Sequence, residues 1–148
     1  MKPDIWMNGE FVPWDEACIH PLCHSLQRGS TIFESIDCME GVNEKGAIFR
    51  LSEHIRRFQN SASLVGMPLI YDFDTLSKAV VNTVARSGMK KCVIRPLAVY
   101  AEPVFDVYPG ESPVTVIIGL NMKKPVKESY SLQISRLRKI ENISMPIK

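Results

Sequence analysis

The sequence is poor in the marks of most chemistries that can be read from a motif. Its four cysteines, Cys18, Cys23, Cys38 and Cys92, contain no CxxC pair, so neither a zinc knuckle nor a disulfide framework is indicated. The first residues carry no apolar run of the signal-peptide kind, and reduced thiols in a cytoplasmic protein are the expectation. No window is long and apolar enough to span a bilayer, so no membrane partner is expected. His20, His24 and His54 lack metal-ligand spacing, and no metal is expected. GxSxG, HExxH, P-loop and GxGxxG patterns are all missing, which leaves nucleophile, zincin and nucleotide-loop readings without support. Charge of one sign is scarce too: 18 Lys and Arg against 16 Asp and Glu give +2, and the total implies no polyanionic partner. The late basic residues Lys123, Lys124, Lys127, Arg136, Arg138 and Lys139 are interleaved with one aromatic, Tyr130. They read as a solvated basic face and not as a nucleic-acid groove.

What is present describes one domain. A chain of 148 residues buries roughly two-thirds of its unfolded surface. Ile5-Trp6-Met7 and Phe11-Val12 flank Asn8-Gly9, the pair that supplies both positive-φ positions of a type I′ hairpin turn. Ser30 to Met39 alternates, with Phe33, Ser35, Asp37 and Met39 on one face and Ile32, Glu34, Ile36 and Cys38 on the other, which predicts a strand. Ala47 to Arg50 reads as a short returning strand. A first helix is predicted from a Ser52 cap through Ile55, Phe58, Ala62 and Val65 to Gly66. A second runs from Asp72 or Asp74 through Phe73, Leu76, Val80 and Val84 to Gly88. Cys92–Tyr100, Pro113–Asn121 and Tyr130–Leu137 follow as strands, with 121–129 as linker. Strands, two consecutive helices, then strands with no helix between them predict an α+β fold, a mostly antiparallel sheet carrying the two helices on one face.

Two arginines stand out. Arg57 lies well off the Ile55–Phe58–Ala62–Val65 stripe and, read alone, is a solvated surface residue, although a guanidinium on a helix side also suits a phosphate. Arg95 sits between Val93 and Leu97 on a strand face, where a charge needs a partner or a wet cavity. An ion pair with Glu102 or Asp106 and a ligand-binding role both fit. Pro96 beside it lacks a ladder donor and suggests an edge or a bulge. His54, near the start of a helix, reads as a packing or capping residue.

Taken together, several segments resemble one family. They are Ile5-Trp6-Met7-Asn8-Gly9-Glu10-Phe11-Val12-Pro13-Trp14, His24-Ser25-Leu26 through Gly29 to Phe33-Glu34, Phe49-Arg50-Leu51 with Glu53-His54, Arg57 and Ser61-Ala62, and Val93-Ile94-Arg95-Pro96-Leu97. The set resembles the class IV, or fold-type IV, pyridoxal-phosphate aminotransferases, nearest to the branched-chain branch. The resemblance implies transfer of an amino group between an amino acid and a 2-oxo acid by a homodimer. It gives Arg57 the cofactor phosphate, and places Phe33, Arg28 and Arg95 around the substrate. It also makes 1–121 the small N-terminal domain, with 122–148 a linker and final strand leading toward a C-terminal cofactor domain. The cofactor-bearing lysine then falls two positions past Lys148, or is Lys148 itself if the loop is shorter, as in the D-amino-acid branch. A chain ending there is expected to lack transaminase activity alone. Arg28 replaces a family tyrosine, Ser35 and Asp37 replace a glycine and an arginine, and Val93 replaces another tyrosine. Those changes leave open a branched-chain or a more acidic substrate. The same scaffold carries aminodeoxychorismate lyases, and a non-catalytic association module is the alternative from another class.

Overall fold

The computed structural model describes residues 2–42, 46–123 and 129–136. The Asn8-Gly9 turn forms as the dipeptide predicts, with φ of 49° and 100°, and joins β1 (Ile5–Met7) to β2 (Glu10–Val12). The alternating 30–39 stretch is not one strand but two, β3 (Thr31–Phe33) and β4 (Ile36–Glu40), and β5 (Gly46–Ile48) returns along β4. Two nine-residue strands, β6 (Cys92–Tyr100) and β7 (Val114–Met122), are paired along their whole length. The sheet has seven strands, ordered β2-β1-β7-β6-β4-β5 with β3 also on β6, and every pairing is antiparallel.

The break between β3 and β4 has a cause in β6. Pro96 is not at an edge or a bulge, as its chemistry suggests from sequence, but inside the central strand. It has no N–H to give, and the ladder lapses opposite it, at Glu34 and Ser35. One bond survives there, Glu34 N–H to the Pro96 carbonyl at 3.0 Å.

α2 (Leu51–Leu64) and α3 (Phe73–Ser87) lie on one face of this sheet. Their apolar stripes, Ile55, Phe58 and Ala62 on one and Leu76, Ala79, Val80 and Val84 on the other, meet Trp6, Ile32, Ile36, Ile94, Ala98, Val116 and Ile118 from the strands. Each large side chain so buried contributes about 1.5–3 kcal/mol. Asp72 caps α3 by accepting from Thr75 N–H at 2.8 Å, and Gly88 closes it in the left-handed region. Ser52 does not cap α2. That position falls to Arg50, itself left-handed at φ 47°, whose Nε donates to Glu53 at 2.9 Å instead of capping the helix.

Two further departures matter. A short helix that the sequence does not announce, α1 (His24–Arg28), precedes β3. The final strand expected over Tyr130–Leu137 is not seen in 129–136, where Tyr130, Leu132 and Ile134 are exposed. Both edges of β7 are already taken by β1 and β6, so the alternating segment has no place beside the strand that precedes it. Residue 137 and Lys148 lie outside the described residues. Among those described, no helix is long and apolar enough to cross a membrane.

Candidate functional site

Glu34 is the least expected residue in the sheet. It shares a face with Ile32, Ile36 and Cys38, points toward the helices, and its side chain is 1% exposed. An isolated carboxylate there would be neutralised or strongly destabilising. The structure supplies two donors, both from α2. His54 and Arg57 are three residues apart and so lie on one side of that helix, the side over the β3–β4 break. Arg57 Nε donates to Oε1 at 2.5 Å and its Nη2 to Oε2 at 2.6 Å, a two-point fork. His54 Nδ1 lies 2.8 Å from Oε2 and, because an ionised carboxylate only accepts, carries the proton in that bond.

These contacts decide the charge state. Burial pushes the Glu34 carboxyl upward, but the Arg57 and His54 hydrogen bonds, reinforced by their charge, outweigh it and hold the group below its ordinary value of 4.5. The bond to Glu34 likewise raises Arg57 above its already high ordinary value. The site therefore holds an ionised carboxylate behind a permanently charged guanidinium. Arg57 keeps 48% of its side-chain surface exposed, and its Nη1 takes no part in the fork. One edge of the guanidinium is fixed and the other is available. That arrangement fits a phosphate.

On the opposite face of the sheet, one residue away in the chain, stands Phe33. The Arg95 guanidinium lies 5.0 Å from the centre of its ring. Arg95 pairs with neither Glu102 nor Asp106; the aromatic face and partial exposure keep its charge tolerable. Its neighbours on this face are Leu97 and Val93, and across the ladder it faces Gly119. A Cβ at Gly119 would meet nothing within 4 Å, so the space beside Arg95 is open. Carrying the β3 and β4 registers through the break sets Ser35 on its other side. Asp37, one step further, pairs with Lys123 at 3.2 Å. The result is a guanidinium on an apolar wall with small residues on both flanks.

Arg28 takes another place. At the end of α1, exposed, it donates from Nη2 to the Phe105 carbonyl at 3.1 Å. Gln27 donates to the Val104 carbonyl at 3.2 Å, and His24 Nε2 lies 3.0 Å from the Val107 carbonyl. Three side chains of one short helix thus hold the 101–113 connection, which displays Phe105, Val107 and Tyr108 to solvent. Beside the β3–β4 break, Phe33 and Arg95 stand together on one face of the sheet and Arg57 holds Glu34 on the other; Arg28 stands apart from both. Glu34 was the residue that sequence reasoning overlooked, although a carboxylate in the Ile32–Ile36–Cys38 row was a visible signal. Among the described residues, no group of three or more His, Cys, Asp or Glu could hold a metal.

Comparison with known proteins bears on what this geometry serves. The family model for "Amino-transferase class IV" matches residues 31–146. A branched-chain-amino-acid aminotransferase of Salmonella typhimurium is 32% identical over 115 residues, which is 77% of this chain and 37% of the relative. A probable enzyme of the same name from Rickettsia bellii is 28% identical over 146 residues, 97% of this chain and 49% of its own. Among solved structures, the branched-chain aminotransferase of Thermoproteus uzoniensis with norvaline superposes with a TM-score of 0.89 at 28% identity, covering 99% of this chain and 50% of that one. The branched-chain amino acid aminotransferase of Escherichia coli gives 0.79 at 29% identity over 83% and 40%. A third such enzyme, complexed with N-(5'-phosphopyridoxyl)-L-glutamate, gives 0.78 at 37% identity over 83% and 41%. The chain therefore spans half the length of these proteins or less, and the part it matches is their N-terminal portion. With more than half of its residues matched by the family model, the chain belongs to the class IV aminotransferases.

Proposed function

We propose that this chain is the N-terminal part of a pyridoxal-phosphate-dependent aminotransferase that moves an amino group between an amino acid, of branched-chain type, and a 2-oxo acid. The observation that carries the reading is Arg57: half-exposed, fixed along one edge by a buried carboxylate, and free along the other. Pyridoxal phosphate, when bound, supplies a carbonyl carbon that exchanges the amino group and a ring that takes up the electrons released at Cα. Arg57 holds its phosphate. Phe33 and Arg95 form the substrate wall, Phe33 against the side chain and Arg95 against a carboxylate. Arg28 acts through the 101–113 segment that it fixes at the end of the sheet beyond Thr31, Val99 and Thr115. Lys148, the candidate cofactor-bearing lysine of this chain, lies outside the described residues. The buried thiols of Cys23, Cys38 and Cys92 support a reducing, cytoplasmic setting.

Activity is tested directly by mixing the 148-residue chain with pyridoxal phosphate, leucine and 2-oxoglutarate, beside a chain that continues through the length of its relatives. The longer chain is expected to turn over and the 148-residue chain to give no transamination. Robust turnover by the shorter chain, or none by the longer, would overturn the assignment. A second reading, that this chain works as an association module, is favoured by one observation. Leu22, Leu26, Phe105, Val107 and Tyr108 are all large, apolar and exposed, and the α1 hydrogen bonds hold them close together. Sedimentation of the 148-residue chain tests this second reading: self-association supports it, and a monodisperse monomer counts against it.

A further inference from the structure

We infer that Glu34 and His54 are positioning residues for the cofactor phosphate: His54 steers the buried carboxylate, and the carboxylate fixes Arg57 so that its free edge faces the phosphate. The inference rests on the proposal that Arg57 is the phosphate's ligand. It goes further by assigning work to two residues that touch no ligand.

The geometry leaves Arg57 little choice. A long arginine on an exposed helix side samples many rotamers, and ordering it costs conformational entropy. Here two bonds of 2.5 and 2.6 Å to one carboxylate define both the position and the plane of the guanidinium. The carboxylate is itself held by His54 at 2.8 Å, and the Glu34 backbone N–H is fixed on the Pro96 carbonyl at 3.0 Å. Each member thus has a reason to be where it is: Pro96 opens the ladder, Glu34 turns to α2 at the gap, and His54 and Arg57 receive it one helical turn apart. The phosphate-facing group is ordered before the ligand arrives, which is how preorganisation raises affinity without adding a contact.

A simpler alternative makes an opposite prediction. If Glu34 merely neutralises Arg57, it competes with a phosphate for the same guanidinium, and removing its charge tightens binding. If it positions Arg57, removing the charge loosens binding.

The test is a titration of the chain with inorganic phosphate, with 15N-arginine labelling to observe the Arg57 Nε–H. The native chain is expected to show that proton slowed in exchange and to bind phosphate. Glu34→Gln is expected to lose the slowed proton and weaken binding roughly tenfold, the scale of one oriented charge-assisted contact. His54→Leu is expected to weaken it less, and His54→Asn, whose side-chain N–H can stand in for Nδ1, to restore it. Unchanged or tighter binding by folded Glu34→Gln overturns the inference. So does an equal affinity for His54→Leu and the native chain, which decides the matter if Glu34→Gln does not fold. A melting temperature that falls while phosphate affinity holds shows a structural role alone and also overturns it. Arg57→Lys separates the two layers. Loss of binding there with retention in Glu34→Gln sinks the positioning role but keeps Arg57, whereas a native chain that ignores phosphate, or Arg57→Lys that binds as well as native, sinks the Arg57 assignment and this inference with it.

Discussion

Replacing Arg57 by leucine tests the electrostatics of the site through stability. The substitution keeps a helix-compatible side chain and removes both bonds of the fork from Glu34, which is 1% exposed. Removing one partner of a fully buried ion pair costs about 3–5 kcal/mol, because the orphaned charge stays buried. Arg57 is 48% exposed and His54 keeps its bond, so the expected loss is lower, about 2–3 kcal/mol. That is still above the roughly 0–1 kcal/mol of a surface pair. For a chain of this size it lowers the melting temperature by about 5–10 °C.

The pH dependence carries the sign. Glu34 titrates below its ordinary 4.5 in the folded chain, so the fork stabilises above that pH and its contribution is lost as pH falls through the folded value. The gap between native and Arg57→Leu proteins should be widest near pH 7 and close below pH 4.5. The double variant Glu34→Gln/Arg57→Leu, with no orphaned charge, should recover more than about 1 kcal/mol of the single loss. Denaturant melts of these three proteins and of the Glu34→Gln single variant at pH 7 and pH 4 give the whole cycle. A loss under about 0.5 kcal/mol at pH 7, or a gap that does not narrow in acid, would refute the buried-carboxylate argument.

Other expectations follow from single contacts. Gly46→Ala places a Cβ 2.9 Å from the Cys38 Sγ and 3.4 Å from the Met89 carbonyl; it should cost about 1–3 kcal/mol, and less than half as much in a Cys38→Ala background, as read by thermal melts. Gly119→Ala meets open space and should gain about 0.5–1 kcal/mol by restricting the unfolded chain, while the filled space beside Arg95 raises the KM of the longer enzyme for its acidic co-substrate. Of the four cysteines, native protein at pH 8 should expose only Cys18 to a thiol reagent. Cys23, Cys38 and Cys92 are fully buried, and burial beside Cys38 pushes the Cys92 thiol up to about 12; fast modification of a second thiol in folded protein would contradict the packing.

Local signals carried most of the fold into the sequence. Asn8-Gly9 wrote its hairpin turn into two residues, and the stripes of α2 and α3 wrote their buried faces into helical spacing. α1 did not show because five residues are too few for a period. The β3–β4 break was hidden because alternation continues straight through Glu34 and Ser35, and its cause, Pro96, lies some sixty residues away on another strand. The apolar alternation of Tyr130, Leu132 and Ile134 promised a strand, but pattern alone supplies no free sheet edge. At the candidate site, Arg57 reads as a surface residue from its periodicity because the Glu34 carboxylate that fixes it comes from the sheet, a tertiary contact no helical stripe records. Arg95 was marked by its place on an apolar strand face, but the ring of Phe33 that accommodates it is a tertiary contact.

The most direct measurement of the central claim compares pyridoxal phosphate with pyridoxal as ligands of the native chain and of Arg57→Lys. The account predicts that the native chain binds the phosphorylated form at least about tenfold more tightly, the scale of one bidentate charge-assisted contact, and that Arg57→Lys erases the difference. Equal affinities for the two ligands in the native chain, or a preference that survives in Arg57→Lys, would contradict it.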